Sequence, residues 1–294
     1  MDKNKHQYFM TKILLDIFAD HELATLLAFK GGTSLLFFYQ LTRFSTDLDF
    51  NLLDEQSAEL VYKKLRSILS QYGKIDDEAM KFYGPIIVLN YGPNERKLKV
   101  EVSIRQYDNH YEVLPLLGKD IRVMTMPDMF AHKLCALGER ITPRDVYDVL
   151  FFLKRGTPIN DNIIRLRTGR SVTEYARFCA TRVRETTPKA LMQGLGEVLL
   201  TNQDKQFVRQ QMIDETSMAL DVFAMHPQVA QQPLTPRMQD IQSHPELQSQ
   251  LGALDVDLSM VSENQIKKIL EGDSVELYNR ATQKIEFALK LSQN

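Results

Sequence analysis

The sequence predicts an α+β fold: a small mixed sheet flanked by helices, followed by a helical domain. Three observations point there. Strand-like and helix-like segments alternate over residues 1–122, and the pattern turns helical from about 123. Two aspartates occupy alternate positions of an apolar strand, Asp47-Leu48-Asp49-Phe50, shortly after the pair Gly31-Gly32. Residues 1–122 are therefore read as one core, 123–225 as a helical domain, and 226–294 as a linker and helical tail.

Phe9, Ile13, Leu14, Ile17 and Phe18 recur at helical spacing, so a helix over 8–18 opens the chain. A short apolar run, Leu26 to Phe29, reads as a strand ending at Lys30-Gly31-Gly32, where glycine permits a tight turn. Thr33 is placed to cap a buried helix from Ser34 to Leu41. The strand DLDFNLL follows. A helix over 56–72 shows 3.6-residue periodicity and stops at Gly73. Two more strands, 85–91 and 97–105, flank a turn at Gly92-Pro93-Asn94.

Helices are expected to begin after Thr125, with Pro127 in the first turn, and at Pro143, ending near Gly156. More helices are expected between 160 and 223. Four prolines among glutamines over 226–252 read as a linker or loosely packed segment. Ser262 and Gln265 stand in capping-box spacing, and a last helix is expected over 275–291.

Composition is that of an ordinary globular chain: 294 residues, 44% apolar, 25% charged, net charge −2. Two cysteines make neither a disulfide framework nor a zinc cluster, consistent with a reducing cytoplasm. No apolar run approaches the roughly 18 residues a membrane span needs, so no membrane partner is expected. Residues 133–189 hold twelve Lys or Arg against six Asp or Glu, a local excess of +6, which suits a polyanionic partner.

Alternation puts Asp47 and Asp49 on one face of their strand and Leu48 and Phe50 on the other. Paired carboxylates repel unless a cation lies between them, and a hard divalent ion prefers oxygen ligands. Glu101 sits on the polar face of the 97–105 strand and becomes a third carboxylate if the strands are neighbours. Three carboxylates suit two-metal phosphoryl transfer. Gly31, Gly32, Thr33 and Ser34 open a helix, where backbone N–H groups favour phosphate, with the Thr33 and Ser34 hydroxyls as further donors. Arg144, Asp145 and Asp148 share one helical face. That is either an ion pair at a helix start or a group that orients Lys133 and meets the nucleotide or acceptor hydroxyl. Arg43 and Ser45 are expected to support the site. His132 is expected to pack rather than act as a base.

The glycine pair, helix and DLD together resemble the signature of the DNA polymerase β-like nucleotidyltransferases. The strings KGGTSL and RFSTDLDF, with Lys99-x-Glu101, Thr125 with Lys133, and Arg140 followed by RDVYD, resemble more closely the AbiEii family of toxins, which includes the MenT toxins. The likeness runs over about residues 25–155. It implies transfer of a nucleoside monophosphate from an NTP, with Mg²⁺ or Mn²⁺, to RNA such as the 3′ end of tRNA, and a cognate antitoxin. By position it makes Asp47, Asp49 and Glu101 metal ligands, Gly31 to Ser34 with Arg144 the nucleotide cradle, and Asp47, Asp49, Lys133, Asp145 and Asp148 the catalytic set. Transfer to a protein or small molecule, and a silent NTP or RNA binder, are the competing readings.

Overall fold

The computed structural model describes residues 2–280, 282 and 285–289. The chain opens with helices α1 (Lys3–Ala19) and α2 (His21–Leu26), strand β1 (Leu27–Lys30), helix α3 (Gly31–Tyr39) and strand β2 (Asp47–Leu52). Helix α4 (Ala58–Ser70) leads to β3 (Lys74–Lys81), β4 (Gly84–Asn90), β5 (Leu98–Ser103), β6 (Tyr111–Leu116) and β7 (Lys119–Met124). Helices α5 (Met126–Glu139), α6 (Pro143–Lys154), α7 (Asp161–Thr168), α8 (Val172–Arg184), α9 (Pro188–Leu195), α10 (Asn202–Gln210) and α11 (Met212–Met225) follow. The remainder holds α12 (Pro236–Ser243), α13 (Pro245–Ala253), α14 (Glu263–Leu270), β8 (Val275–Tyr278) and β9 (Ile285–Leu289).

Seven strands form one mixed sheet in the order β3-β4-β5-β2-β1-β7-β6. The β2–β5 and β1–β7 pairs are parallel, and the others antiparallel. The register that matters most lies at its centre: Asp49 faces Lys30 on one side and Glu101 on the other, and Asp47 faces Lys99. Leu48 and Phe50 point the opposite way and are fully buried, because their alternate positions meet α1 and its neighbours. One apolar core runs from Met10 to Ala224, joining the sheet to α5 through α11.

A second, smaller core gathers Met238, Ile241, Leu247, Leu251, Val261, Ile266 and Leu277. The expected linker over 226–252 thus contains two helices, and Pro236 and Pro245 sit in their first turns, where a missing N–H costs nothing. The helix expected over 275–291 is corrected to a hairpin: β8 pairs antiparallel with β9, and residues 281, 283, 284, 290 and 291 of that span lie outside the described set. Val275 and Leu277 are buried while Glu276 is exposed, a period of two rather than 3.6.

Candidate active site

The glycine turn and the DLD strand meet. Gly31 has φ +82°, a left-handed conformation that side chains resist, and a Cβ built there would lie 2.7 Å from Asp49 Oδ2. A Cβ on Gly32 would lie 2.8 Å from both Arg43 Nη2 and Ser45 Oγ. The two glycines therefore bring bare backbone against the carboxylate side of the sheet. No side chain caps α3, so its N-terminus is left to interact with what enters the cleft.

Thr33 and Ser34, expected to reach a triphosphate, are turned inward. Both are fully buried; the Thr33 hydroxyl donates to the Asp47 carbonyl, and the Ser34 hydroxyl to the Gly31 carbonyl at 2.8 Å. They brace the turn, and Ser45 lines the cleft in their place.

That cleft holds about 460 Å³ and is lined by Gly31, Gly32, Asp47, Asp49 and Glu101 on one side and by Lys133, Arg140, Arg144 and Asp145 on the other. Burial pushes the Asp49 carboxyl up to about 6; Lys99 opposes the rise, and Asp47 and Glu101 add to it. Burial also pulls the Lys30 ammonium down to about 8, against the charges of Asp49 and Glu101. Lys30 donates to Asn51 Oδ1.

Among the described residues no three His, Cys, Asp or Glu side chains group to hold a metal. Glu101 is paired with Lys99, whose ammonium sits 2.7 Å from its Oε2 and overcomes burial to hold that carboxyl below its usual range. The donors still have the right chemistry for a hard cation, since Asp47 and Asp49 offer carboxylate oxygens side by side on the cleft face of β2. Arg144 Nη1 lies 3.9 Å from Asp47 Oδ2, bringing a guanidinium to the same point.

Helices α5 and α6 fix Lys133. Its ammonium lies 3.0 Å from Asp145 Oδ1 and 2.8 Å from Asp148 Oδ2. These carboxylates outweigh burial and keep its affinity for a proton above the usual lysine range. Asp148 is fully buried and takes a bidentate grip from Arg43, with Nε and Nη2 each at 2.6 Å. Burial alone would raise its carboxyl; Arg43 and Lys133 reverse that and lower it. Asp145 reaches the cleft wall, whereas Asp148 stands behind Lys133, so the two aspartates are separable by position. Thr142 caps α6 and donates to Asp145 Oδ2 at 2.6 Å. Of the two readings of this face, an ion pair at the helix start or a group that orients Lys133, the contacts of Asp145 and Asp148 with Lys133 accord with the second, and among the described residues no Arg144–Asp148 ion pair forms.

A family described as nucleotidyl transferase AbiEii toxin, type IV toxin–antitoxin system, matches residues 12–237. The chain belongs to the AbiEii family. This AbiEii chain is a nucleotidyltransferase, and a nucleoside triphosphate is its substrate class. Its structure resembles MenT4, a nucleotidyltransferase toxin from Mycobacterium tuberculosis, at 18% identity and a TM-score of 0.54, over 86% of this chain and 93% of that one. JHP933 from Helicobacter pylori is 22% identical, with a TM-score of 0.43, over 86% of this chain and 96% of that one. Among curated proteins none matches the sequence. No helix among the described residues is long and apolar enough to cross a membrane.

The AbiEii cleft also contains residues outside the site set expected from the sequence: Lys30, Asn51, Tyr83, Arg105, Tyr107 and Arg167. Lys30 was legible as the residue before the glycines, and Arg105 as the last member of the polar face of its strand. His132 takes Arg167 Nη1 on Nδ1 at 3.0 Å and meets Asn109 Oδ1 at 2.7 Å, and burial lowers its pKa well below the usual value. Fixed this way it packs the cleft wall.

Proposed function

We propose that this AbiEii toxin transfers a nucleoside monophosphate from an NTP to an RNA 3′ hydroxyl, that of tRNA by the family resemblance. The reading rests above all on Asp47 and Asp49 standing against the bare backbone of Gly31, with Glu101 in register beside Asp49 and Lys133 and Arg144 opposite. The N-terminus of α3, with Gly31 and Gly32, receives the triphosphate, while Thr33 and Ser34 hold the turn's shape. Asp47 and Asp49 would hold a divalent ion, Mg²⁺ or Mn²⁺, with Glu101 as the third carboxylate in register beside Asp49. When bound, such an ion would supply charge neutralisation at the triphosphate and a lower pKa for the attacking hydroxyl.

The acceptor oxygen attacks the α-phosphorus, its proton passes to a cleft carboxylate, and the bond to the departing pyrophosphate breaks. Lys133 and Arg144 meet the charge that develops on the pyrophosphate. Asp145 orients Lys133 from the cleft wall, and Asp148 positions it from behind. In this scheme residues 1–122 supply carboxylates and the glycine turn, and 123–225 supply the cations. A cognate antitoxin would be the protein partner.

The test is incubation of the protein with each labelled NTP, Mg²⁺ and total RNA, beside Asp49→Ala. Label on RNA with wild type alone is expected. Equal label from both proteins, or none with any NTP, would remove the assignment, and label on protein alone would redirect it to a protein acceptor.

A further inference from the structure

Residues 104–110 join β5 to β6 with neither strand nor helix, yet they carry two side chains of the cleft wall, Arg105 and Tyr107. The segment begins beside the carboxylates. Asn51, two residues beyond Asp49 on β2, donates to the Arg105 carbonyl at 3.4 Å, and the Arg105 charge acts on Lys30, the register partner of Asp49. The Arg105 guanidinium lies 3.7 Å from the Tyr83 ring centroid, with Nη1 3.4 Å from the Tyr107 hydroxyl. It is half-buried and, among the described residues, makes no ion pair with a carboxylate. A guanidinium without a counter-ion, in a cleft that takes a nucleoside triphosphate, suits a phosphate oxygen.

A segment outside the ladder needs other partners for its backbone. Gln106, between the two cleft residues, finds them in the C-terminal part of the chain. Its N–H donates to the Ser259 carbonyl at 2.7 Å, and its carbonyl accepts from Arg237 Nη2 at 3.0 Å. Its side-chain amide donates to the Leu52 carbonyl at 2.6 Å, so Gln106 is held at three points while its two neighbours line the cleft. Arg237 is the hub of this arrangement: Nη1 donates to the carbonyls of Leu258 at 2.6 Å and Val261 at 3.0 Å. Thr235, two residues earlier, donates its N–H to Asp108 Oδ1 at 2.9 Å. Both Gln106 and Asp108 are thus tied to the smaller core.

Arg237 is only 5% exposed. Asp108, Glu55 and Glu263 act on its charge, but among the described residues no carboxylate pairs with it within 4.0 Å. Burying a cation on carbonyls alone is unfavourable beside an apolar residue of similar size. What the guanidinium adds is geometry: a planar fork that fixes residues 258–261 and Gln106 against one another.

We infer that Arg237 is a positioning residue for the active site: through Gln106 it holds Arg105 as a contact for a substrate phosphate, which makes the C-terminal part of the chain a component of the cleft. That phosphate belongs either to the triphosphate or to the RNA backbone. The inference rests on the reading above for these two ligands, and its test keeps them apart.

Binding is measured on the full chain, without turnover, for a non-hydrolysable NTP with Mg²⁺ and separately for a tRNA transcript. Wild type, Arg105→Gln, Arg237→Met and the double variant are compared, each with its melting temperature. Arg105→Gln should weaken one of the two ligands about 10-fold, as loss of a charged hydrogen bond does. Arg237→Met should weaken the same ligand by about 5-fold or more, and the double variant should bind as Arg105→Gln does, because both act through one contact. A merely structural Arg237 would lower the melting temperature without this coupling. Losses that multiply in the double variant overturn the inference, as does Arg237→Met or Arg105→Gln binding both ligands as wild type does. If Arg237→Met does not fold, Arg237→Lys replaces it, keeping the charge in the smaller core without the fork, and the same pattern is expected. Wild type that binds NTP but no RNA sinks the RNA acceptor, and undiminished NTP affinity in the Arg237 variant then overturns this inference as well.

Discussion

Arg43 grips Asp148 through two N–H···O contacts of 2.6 Å, and both side chains are almost wholly enclosed. Removing one partner leaves an uncompensated charge in the interior. Arg43→Met should therefore cost about 3–5 kcal/mol of stability, measured by chemical denaturation. A loss under about 1 kcal/mol would mean that Lys133 alone satisfies Asp148.

Lys133→Met offers the opposite profile. Asp148 keeps its two bonds to Arg43, and Asp145 keeps Thr142, so the fold should survive while transfer falls by about 10²-fold or more. Expression of wild type should slow bacterial growth, and expression of Lys133→Met should not. A variant that melts at the wild-type temperature and keeps full activity would place Lys133 outside the chemistry.

Gly31→Ala probes the turn. The added methyl meets both a left-handed backbone and the Asp49 carboxylate, so NTP turnover should drop about 10-fold or more while the far core stays intact. Titration of NTP should show a raised KM. Wild-type kinetics in the alanine variant would separate the turn from the phosphate.

His110 supplies a pH-dependent fastening. Asp128, 3.4 Å from Nδ1, lifts its pKa to about 9 despite burial, and Nε2 meets the Pro233 carbonyl at 2.7 Å. Because the folded value exceeds the unfolded value of about 6.5, this stabilisation is complete below pH 6.5 and disappears as pH rises through 9. The melting-temperature gap between wild type and His110→Gln should thus narrow between pH 6.5 and 9.5, with on the order of 1–2 kcal/mol at stake. A gap that stays constant over that range would show the imidazole to be neutral throughout.

The catalytic strands were legible because one face of each is buried and the other lines the cleft, so Asp47, Asp49 and Glu101 stand out against Leu48, Phe50, Val100 and Val102. Strands β3 and β6 lie at the sheet edges, half-exposed on both faces, and carry no clean alternation. The inward turn of Thr33 and Ser34 depends on how α3 is rotated, which residue types do not dictate. Residues 275–289 are rich in helix formers, yet antiparallel pairing and burial of Val275 and Leu277 outweigh that preference. Tyr83 stands in the turn just before β4 and joins the site only through β4–β5 pairing, which nothing in the pattern of its own segment signals.

Phe82, the neighbour of Tyr83, lies against the Tyr278 ring at 4.6 Å. The hairpin tip overlooking the cleft is therefore propped from behind by the segment around β8, which among the described residues contributes no side chain to the cleft lining. Any molecule that pries that prop loose would disturb the mouth of the enzyme while touching none of its chemistry, which gives the C-terminal piece leverage over a reaction in which it takes no direct part.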